Sequence, residues 1–348
     1  MTDKPFDGKR ILVTGGTGSL GHVLVRRLLN GEMGIPEKVL VFSRDEDKQH
    51  QMRLEYQKTP EATDEAIYKE RERMLGFVIG DVRSYESLAA AVKNVNIVVF
   101  ASALKQVPTC EYFPYEAILT NSVGAQNLVR VLQETENDVE LVIGISTDKA
   151  CKPVNAYGMT KALQERILTT ANLAIPTTKF ICVRYGNVLA SRGSVIPLFL
   201  KQIEERRAIT ITHSGMTRFL LTIQQAVDVI FKATNHCDPG EILVPRLPSA
   251  KVVDIADVLK GDLDLPTTIT GVRPGEKIHE ILISEEEAFR TLDADDHFII
   301  QPILSELRRS KNLPTIGHEY SSADEVVSIQ RLQQILSAAG FVKSRSIQ

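Results

Sequence analysis

A chain of 348 residues with 43% hydrophobic residues, 24% charged residues and a formal net charge of −3 has the make-up of an ordinary globular protein. It is long enough for one large domain or two intimate ones, and too close to neutral for an electrostatic hold on nucleic acid. Its apolar runs, such as residues 97–101, are too short to cross a bilayer.

The start, MTDKPFDGKR, lacks the apolar stretch of a signal peptide. Cys110, Cys151, Cys182 and Cys237 lie far apart without metal-ligand spacing, so reduced thiols in a cytoplasmic protein are expected. Residues 11–13, Ile-Leu-Val, read as a strand feeding the turn TGGTGSLG and then an amphipathic helix. Gly15, Gly18 and Gly21 space that turn as GxxGxxG, a shifted relative of GxGxxG. Such glycines let the backbone close on a pyrophosphate at a helix N-terminus, where free N–H groups and the dipole favour an anion. Strand, turn and helix in that order predict a dinucleotide site, with Thr17, Ser19 and Leu20 completing the cradle.

The second strand, residues 38–42, ends where an NAD site places a carboxylate on the ribose 2′-hydroxyl. Ser43, Arg44 and Lys48 stand there instead and suit a 2′-phosphate, which a carboxylate would repel, so NADP is expected. Asp45, counted with the same loop, is discordant and can cap the next helix. Residues 49–73 read as a helix with a solvated polar extension around 57–74. The third strand, 76–80, ends in Asp81 and Val82, placed to meet an adenine edge. The fourth, 95–100, runs into Ala101, Ala103 and Lys105; small side chains admit a cofactor, and the lysine can reach a phosphate or sugar hydroxyl. Residues 120–127 read as a helix behind the site, with Asn121 counted among the cofactor contacts although a structural hydrogen bond also suits it. Strands alternating with helices imply an α/β, Rossmann-like doubly wound parallel sheet.

The stretch LVIGISTDKACKPVNAYGMTKALQER, residues 141–166, carries the chemistry. An apolar run ends in Ser146-Thr147-Asp148-Lys149, and Tyr157 and Lys161 follow at helical spacing, on one face. An ammonium near a phenol favours the phenolate, which can accept a proton from a sugar hydroxyl. Tyr-x-x-x-Lys also arises by chance in amphipathic helices, and Asp148-Lys149 alone could be an exposed ion pair. A strand at 180–184 then leads to Tyr185, Gly186, Asn187 and Val188. Arg218, and Arg273 with Glu276, suit a diphosphate and ribose hydroxyls, though each alone could be a surface ion-pair partner. His213, His236 and His279 are scattered, so no metal is assigned.

With these stretches the chain resembles the extended short-chain dehydrogenases/reductases acting on nucleotide sugars. Within them it resembles the soluble, inverting UDP-N-acetylglucosamine 4,6-dehydratases. The resemblance covers residues 8–285 and rests on TGGTGSLG, SRDEDK, ALKQVP, STDKACKPVNAYGMTK, RYGNVLASRGSVIPLF, MTRF and RPGEKIHE. Epimerases of the wider group carry a small Ser/Thr-rich segment where this chain has Asp148-Lys149, and retaining relatives often carry Met in place of Tyr157. Departures are Ala101-Ser102-Ala103 where the family shows three alanines, and Gln106 where it shows His.

The resemblance implies a sequence of residue roles. Tyr157 takes the C4 hydroxyl proton, Thr147 hydrogen-bonds the C4 oxygen, Lys149 is the C5 base and Asp148 the acid for the leaving C6 hydroxyl. Lys161 completes the catalytic set and, with Tyr157, Tyr185, Gly186 and Val188, lines a tightly bound, recycled NADP. Lys105, Asn187, Val195, Thr212, Arg218, Arg273 and Glu276 would hold the nucleotide sugar. Residues 1–190 are expected to form the NADP-binding domain and 191–341 mainly a smaller substrate domain, some chain returning to the first part. The tail at 342–348 is expected to fray. A homo-oligomer, dimer or higher, without membrane attachment or nucleic acid, is expected. A nucleotide-sugar 4-epimerase, a C5-retaining dehydratase and a catalytically idle NADP-binding scaffold remain the alternatives.

Overall fold

Six apolar runs before residue 184 become strands: β1 (Arg10–Thr14), β2 (Lys38–Ser43), β3 (Leu75–Ile79), β4 (Ile97–Phe100), β5 (Leu141–Ile145) and β6 (Lys179–Val183). The computed structural model describes residues 4–57, 74–189 and 194–342. Ile11, Leu12 and Val13 are fully buried, as are Val142 and Ile143. Continuous apolar runs of this kind belong to parallel strands covered on both faces. Beyond them the chain enters a smaller lobe with β7 (Ile209–Ile211) and β8 (Thr217–Phe219), then returns as β9 (Ile242–Pro245) beside β6.

In the smaller lobe β8 pairs antiparallel with β10 (Ser249–Lys251), and β7 parallel with β11 (Thr267–Ile269). Strands β12 (Ile281–Ile283), β13 (Thr291–Asp293), β14 (His297–Ile300) and β15 (Tyr320–Ser321) complete the set. The large sheet has the order β13-β14-β9-β6-β5-β4-β1-β2-β3. It is parallel from β3 to β9, and β14 and β13 add an antiparallel edge. That edge lies in the polar last sixty residues, where the sequence shows no strand motif. The lobe's own core joins Ile196, Phe199 and Ile209 to Leu332 and Leu336 of the Ile329–Ala338 helix. The polar extension, Ser191-Arg192-Gly193 and the tail from residue 343 lie outside the described residues. Among the described residues no helix is long and apolar enough to cross a membrane. The four cysteines are buried and unpaired.

Arg184, at the end of β6, is one of the largest fully buried side chains. Its guanidinium donates to both oxygens of Glu165 (2.9 and 2.6 Å), both of Glu287 (2.7 and 3.0 Å) and the Leu282 carbonyl (2.9 Å). Ser146 Oγ donates to the same Glu165 at 2.5 Å, so the cluster clamps the segment that leads into Thr147 and Asp148. Burial pushes the Glu287 carboxyl up, but the Arg184 guanidinium more than offsets this and holds it at about 2. A carboxylate depressed in this way stabilises the fold fully above its unfolded pKa of about 4.5, and the contribution is lost as pH falls toward about 2. Glu287→Gln is therefore expected to cost about 3–5 kcal/mol at pH 7, the cost of breaking a buried pair. Urea unfolding should show a much smaller gap from the wild type at pH 3; an equal gap at both pH values would contradict the assignment.

Candidate active site

The strand ends of the large sheet and the smaller lobe enclose a cleft of about 960 Å³, of the size that takes a small-molecule ligand. At its floor the Ser19–Leu29 helix starts on Gly18 with no side-chain cap. Its first N–H groups are thus left for an anion. Gly15 holds φ +66°, a left-handed conformation that favours glycine, and a Cβ there would meet the Ser102 backbone at 3.0 Å. Thr14 Oγ1 accepts from the N–H groups of Ala101 (3.1 Å) and Ser102 (3.2 Å), drawing the end of β4 against this turn. The cradle fits a dinucleotide pyrophosphate.

At the end of β2, Thr17 Oγ1 and Ser43 Oγ lie 2.9 Å apart. Asp45 accepts from the Lys48 N–H at 3.0 Å, so it caps the Glu46–Gln57 helix, and it also pairs with the Lys48 ammonium. Arg44 is half exposed, 3.5 Å from Asp81. Of the cations at this rim, Arg44 is therefore the less committed one.

The Ala156–Ala174 helix is capped by Asn155, whose side chain accepts from the Gly158 N–H at 2.8 Å and donates to the Gly275 carbonyl at 2.9 Å. One residue thus starts the helix and ties it to the RPGEK loop. A Cβ on Gly158 would lie 2.1 Å from the Lys149 carbonyl, so glycine lets the helix seat Tyr157 beside the loop after β5. There Thr147 Oγ1 donates to Asp148 Oδ1 at 2.7 Å and Lys149 Nζ donates to the same oxygen at 3.1 Å. Asp148 is 1% exposed and its Oδ2 has no hydrogen-bond partner among the described residues.

Burial pushes the Tyr157 phenol up to about 12, and the cation opposing that shift is Lys149. The spacing alone points to Lys161 for that task, and its ammonium here is engaged on the end of β5 and on its own helix. Lys161 Nζ donates to the Ile145 carbonyl and to Gln164 Oε1, both at 2.6 Å, and burial lowers its pKa to about 8.

Every candidate residue from the sequence lines this one cleft except Asn121. Asn121 is a correction: fully buried, it accepts from the Leu104 N–H (2.8 Å) and donates to the Leu104 carbonyl (3.0 Å) and Thr160 Oγ1 (2.9 Å). It sits in a π-helical turn, Ile118–Val123, and braces the Lys105 loop from behind. Arg218 and Arg273, some fifty residues apart in sequence, both reach the cleft. Arg218 donates to the Thr217 carbonyl at 2.7 Å and the Ile278 carbonyl at 3.1 Å, and Arg273 stands 3.8 Å from Glu276.

Glu280 and Ser194 are among the lining residues without a role in the sequence reading. Glu280 lies 3.4 Å from Lys149 and 3.5 Å from Arg218, and the Ser194 hydroxyl is enclosed without a partner. Asn187 Oδ1 and Glu276 Oε2 are likewise enclosed and unpaired. Unpaired buried polar atoms are costly, and four of them, counting Asp148 Oδ2, converge on a single cleft. Among the described residues no group of three or more His, Cys, Asp or Glu side chains could hold a metal ion.

A doubly wound sheet with Tyr157 and Lys161 on the helix that follows its fifth strand is the arrangement of an extended short-chain dehydrogenase/reductase. The chain belongs to the polysaccharide biosynthesis protein family, whose model matches residues 11–302. It is 41% identical over 300 residues to a UDP-glucose 4-epimerase of Rickettsia conorii, covering 85% of this chain and 83% of that one. It is 39% identical over 300 residues to a UDP-N-acetylglucosamine 4,6-dehydratase (inverting) of Campylobacter jejuni, covering 85% and 84%. The crystal structure of Pen from Bacillus thuringiensis matches with a TM-score of 0.82 at 32% identity, covering 96% of this chain and 99% of that one. A dTDP-glucose 4,6-dehydratase, DesIV from Streptomyces venezuelae, shares the fold at a TM-score of 0.64 and 20% identity.

Proposed function

We propose that the protein is an NADP-dependent UDP-N-acetylglucosamine 4,6-dehydratase that inverts C5. The observation that carries this reading is the buried Asp148–Lys149 pair beside Tyr157, with Asp148 Oδ2 left free at the cleft. Tyr157 takes the C4 hydroxyl proton while Thr147 orients the C4 oxygen. Asp148 and Lys149 hold one proton between them across 3.1 Å. Its transfer from the ammonium to the carboxylate leaves a free amine and a neutral acid, the two forms that an elimination uses. The amine removes the C5 proton, acidified by the C4 ketone, and the acid protonates the C6 hydroxyl as it leaves as water. NADP would be held by the glycine turn, Ser43 and Arg44 and, when bound, would supply the acceptor for the C4 hydride and its return to C6, with a proton returned to C5 to complete the 6-deoxy-4-ketone.

A nucleotide-sugar 4-epimerase is the second reading, favoured by the Rickettsia relatives that carry that name. It shares the Tyr157 chemistry and needs no C5 base. Incubation with UDP-N-acetylglucosamine in heavy water, read by NMR, separates them: a 6-deoxy-4-ketone with deuterium at C5 is expected. A 4-epimer carrying no deuterium at C5 would establish the epimerase.

Arg44→Ala is expected to weaken NADP binding by about 1.5–3 kcal/mol, the loss of a charge-assisted contact, while NAD binding changes little. Equal losses for both nucleotides in a calorimetric titration would defeat the 2′-phosphate assignment.

A further inference from the structure

Glu280 is the cleft's least expected carboxylate. Its side chain is 5% exposed, and its Oε1 stands 3.4 Å from Lys149 Nζ and 3.5 Å from Arg218 Nε. Its backbone is fixed from both sides: its N–H donates to Ser322 Oγ at 2.9 Å, and the Ser322 N–H donates to its carbonyl at 2.7 Å. Ser322 Oγ in turn lies 2.6 Å from Thr217 Oγ1, in the strand that bears Arg218. The carboxylate is therefore held still between a lysine of the large sheet and an arginine of the smaller lobe.

We propose that Glu280 is a positioning residue of this site: it aims the Lys149 amine and stabilises the ammonium that forms as the amine takes the C5 proton. This rests on the dehydratase reading above. The charge argument follows from the reaction. When the free amine of Lys149 accepts the C5 proton, its nitrogen passes from neutral to positive, and a fixed carboxylate 3.4 Å away is a preorganised counter-charge. Asp148 is neutral while it holds the shared proton and regains its charge only as it protonates the departing hydroxyl, so Glu280 is the carboxylate that faces the amine from the start of the step. No other carboxylate is within ion-pair distance of Lys149 among the described residues.

The charged and titratable groups facing Lys149 are Asp148, Glu280, Arg218, Tyr157 and Lys277. Burial and Arg218 work against the lysine charge, while Asp148 and Glu280 more than offset them. Glu280 thereby also keeps the single shared proton on the Asp148–Lys149 pair as pH rises. Without it, that proton should leave at lower pH by about one to three units, the ordinary effect of one close opposite charge.

The test is Glu280→Gln, which keeps the volume and removes the charge, followed by C5 deuterium incorporation and loss of water, both by mass spectrometry, from pH 6 upward to where the wild type stops releasing water. C5 exchange at neutral pH should fall on the order of tenfold or more, and the alkaline limb of water loss should move down by about one to three pH units. Oxidation at C4, read by absorbance at 340 nm in a single turnover, should slow much less than C5 exchange. A loss of packing alone would slow both steps together and leave the limb in place. Glu280→Asp should restore the position of the limb while exchange stays below wild type, and it carries the test if Glu280→Gln does not fold. Exchange in Glu280→Asp at the wild-type rate, or an unmoved limb in Glu280→Gln, overturns the proposal. Wild-type protein that neither dehydrates the sugar nor exchanges C5 overturns the dehydratase reading instead, so the two failures are told apart.

Discussion

Tyr157→Phe is expected to stop the reaction before any ketone forms, with turnover falling about a hundred- to ten-thousand-fold, the range for loss of a positioned proton acceptor. Tyr157 is 9% exposed, and burial is the largest influence on its phenol, pushing it up to about 12 even against the nearby cation. Lys149 is the cation that favours its anion against that effect. Removing one oxygen leaves the ring and its packing in the small cluster with Cys110 and Ala117. The variant should therefore keep its melting temperature within a few degrees, and cofactor should still bind. Rapid mixing with substrate at 340 nm should show no rise in absorbance. A rise at the wild-type rate would move the first proton transfer to another group.

Much of this site can be read from residue order, because its pieces are local. The glycine turn sits between a strand and a helix contiguous with it, and Tyr157 and Lys161 share one helical face. Ser43 and Arg44 end a strand whose run of apolar residues is plain. What stays hidden is tertiary. Lys161 and Lys149 look interchangeable as cations for Tyr157, yet Lys161 turns to the Ile145 carbonyl and Lys149 turns to the phenol's side of the cleft. Asn121 reads as a cleft residue, but the π-helical turn rotates it inward onto Leu104. Glu280 belongs to the RPGEKIHE motif, and only the pairing of β12 with β15 shows its carboxylate buried against Lys149. Arg184 reads as the polar end of a strand, whereas two carboxylates from distant helices make it a buried clamp. The β13–β14 edge escapes for the same reason: its strands are three and four residues long, and their apolar faces mean nothing until β9 is beside them.

Lys149→Ala separates the two halves of the chemistry, and its expected result is a stalled enzyme rather than an inert one. Tyr157 remains, so the C4 hydroxyl can still lose its proton and absorbance at 340 nm should rise in a single turnover. The substitution removes the amine that takes the C5 proton, and general-base loss costs on the order of a hundred- to ten-thousand-fold. Elimination then limits the cycle, the C4 ketone accumulates on the protein, and C5 deuterium incorporation should vanish. The first step should itself slow, because Lys149 is the cation that favours the Tyr157 anion. The prediction is thus a graded one, with oxidation slowed and C5 exchange abolished. The fold should tolerate the change, since the side chain is 22% exposed and its partners Asp148 and Glu280 both border the open cleft. Mass spectrometry of the sugar after incubation in heavy water reads the C5 step directly. Exchange at the wild-type rate would remove Lys149 from the role of base, and the 4-epimerase reading, which needs no C5 base, would then account better for Tyr157, Thr147 and the cleft around them.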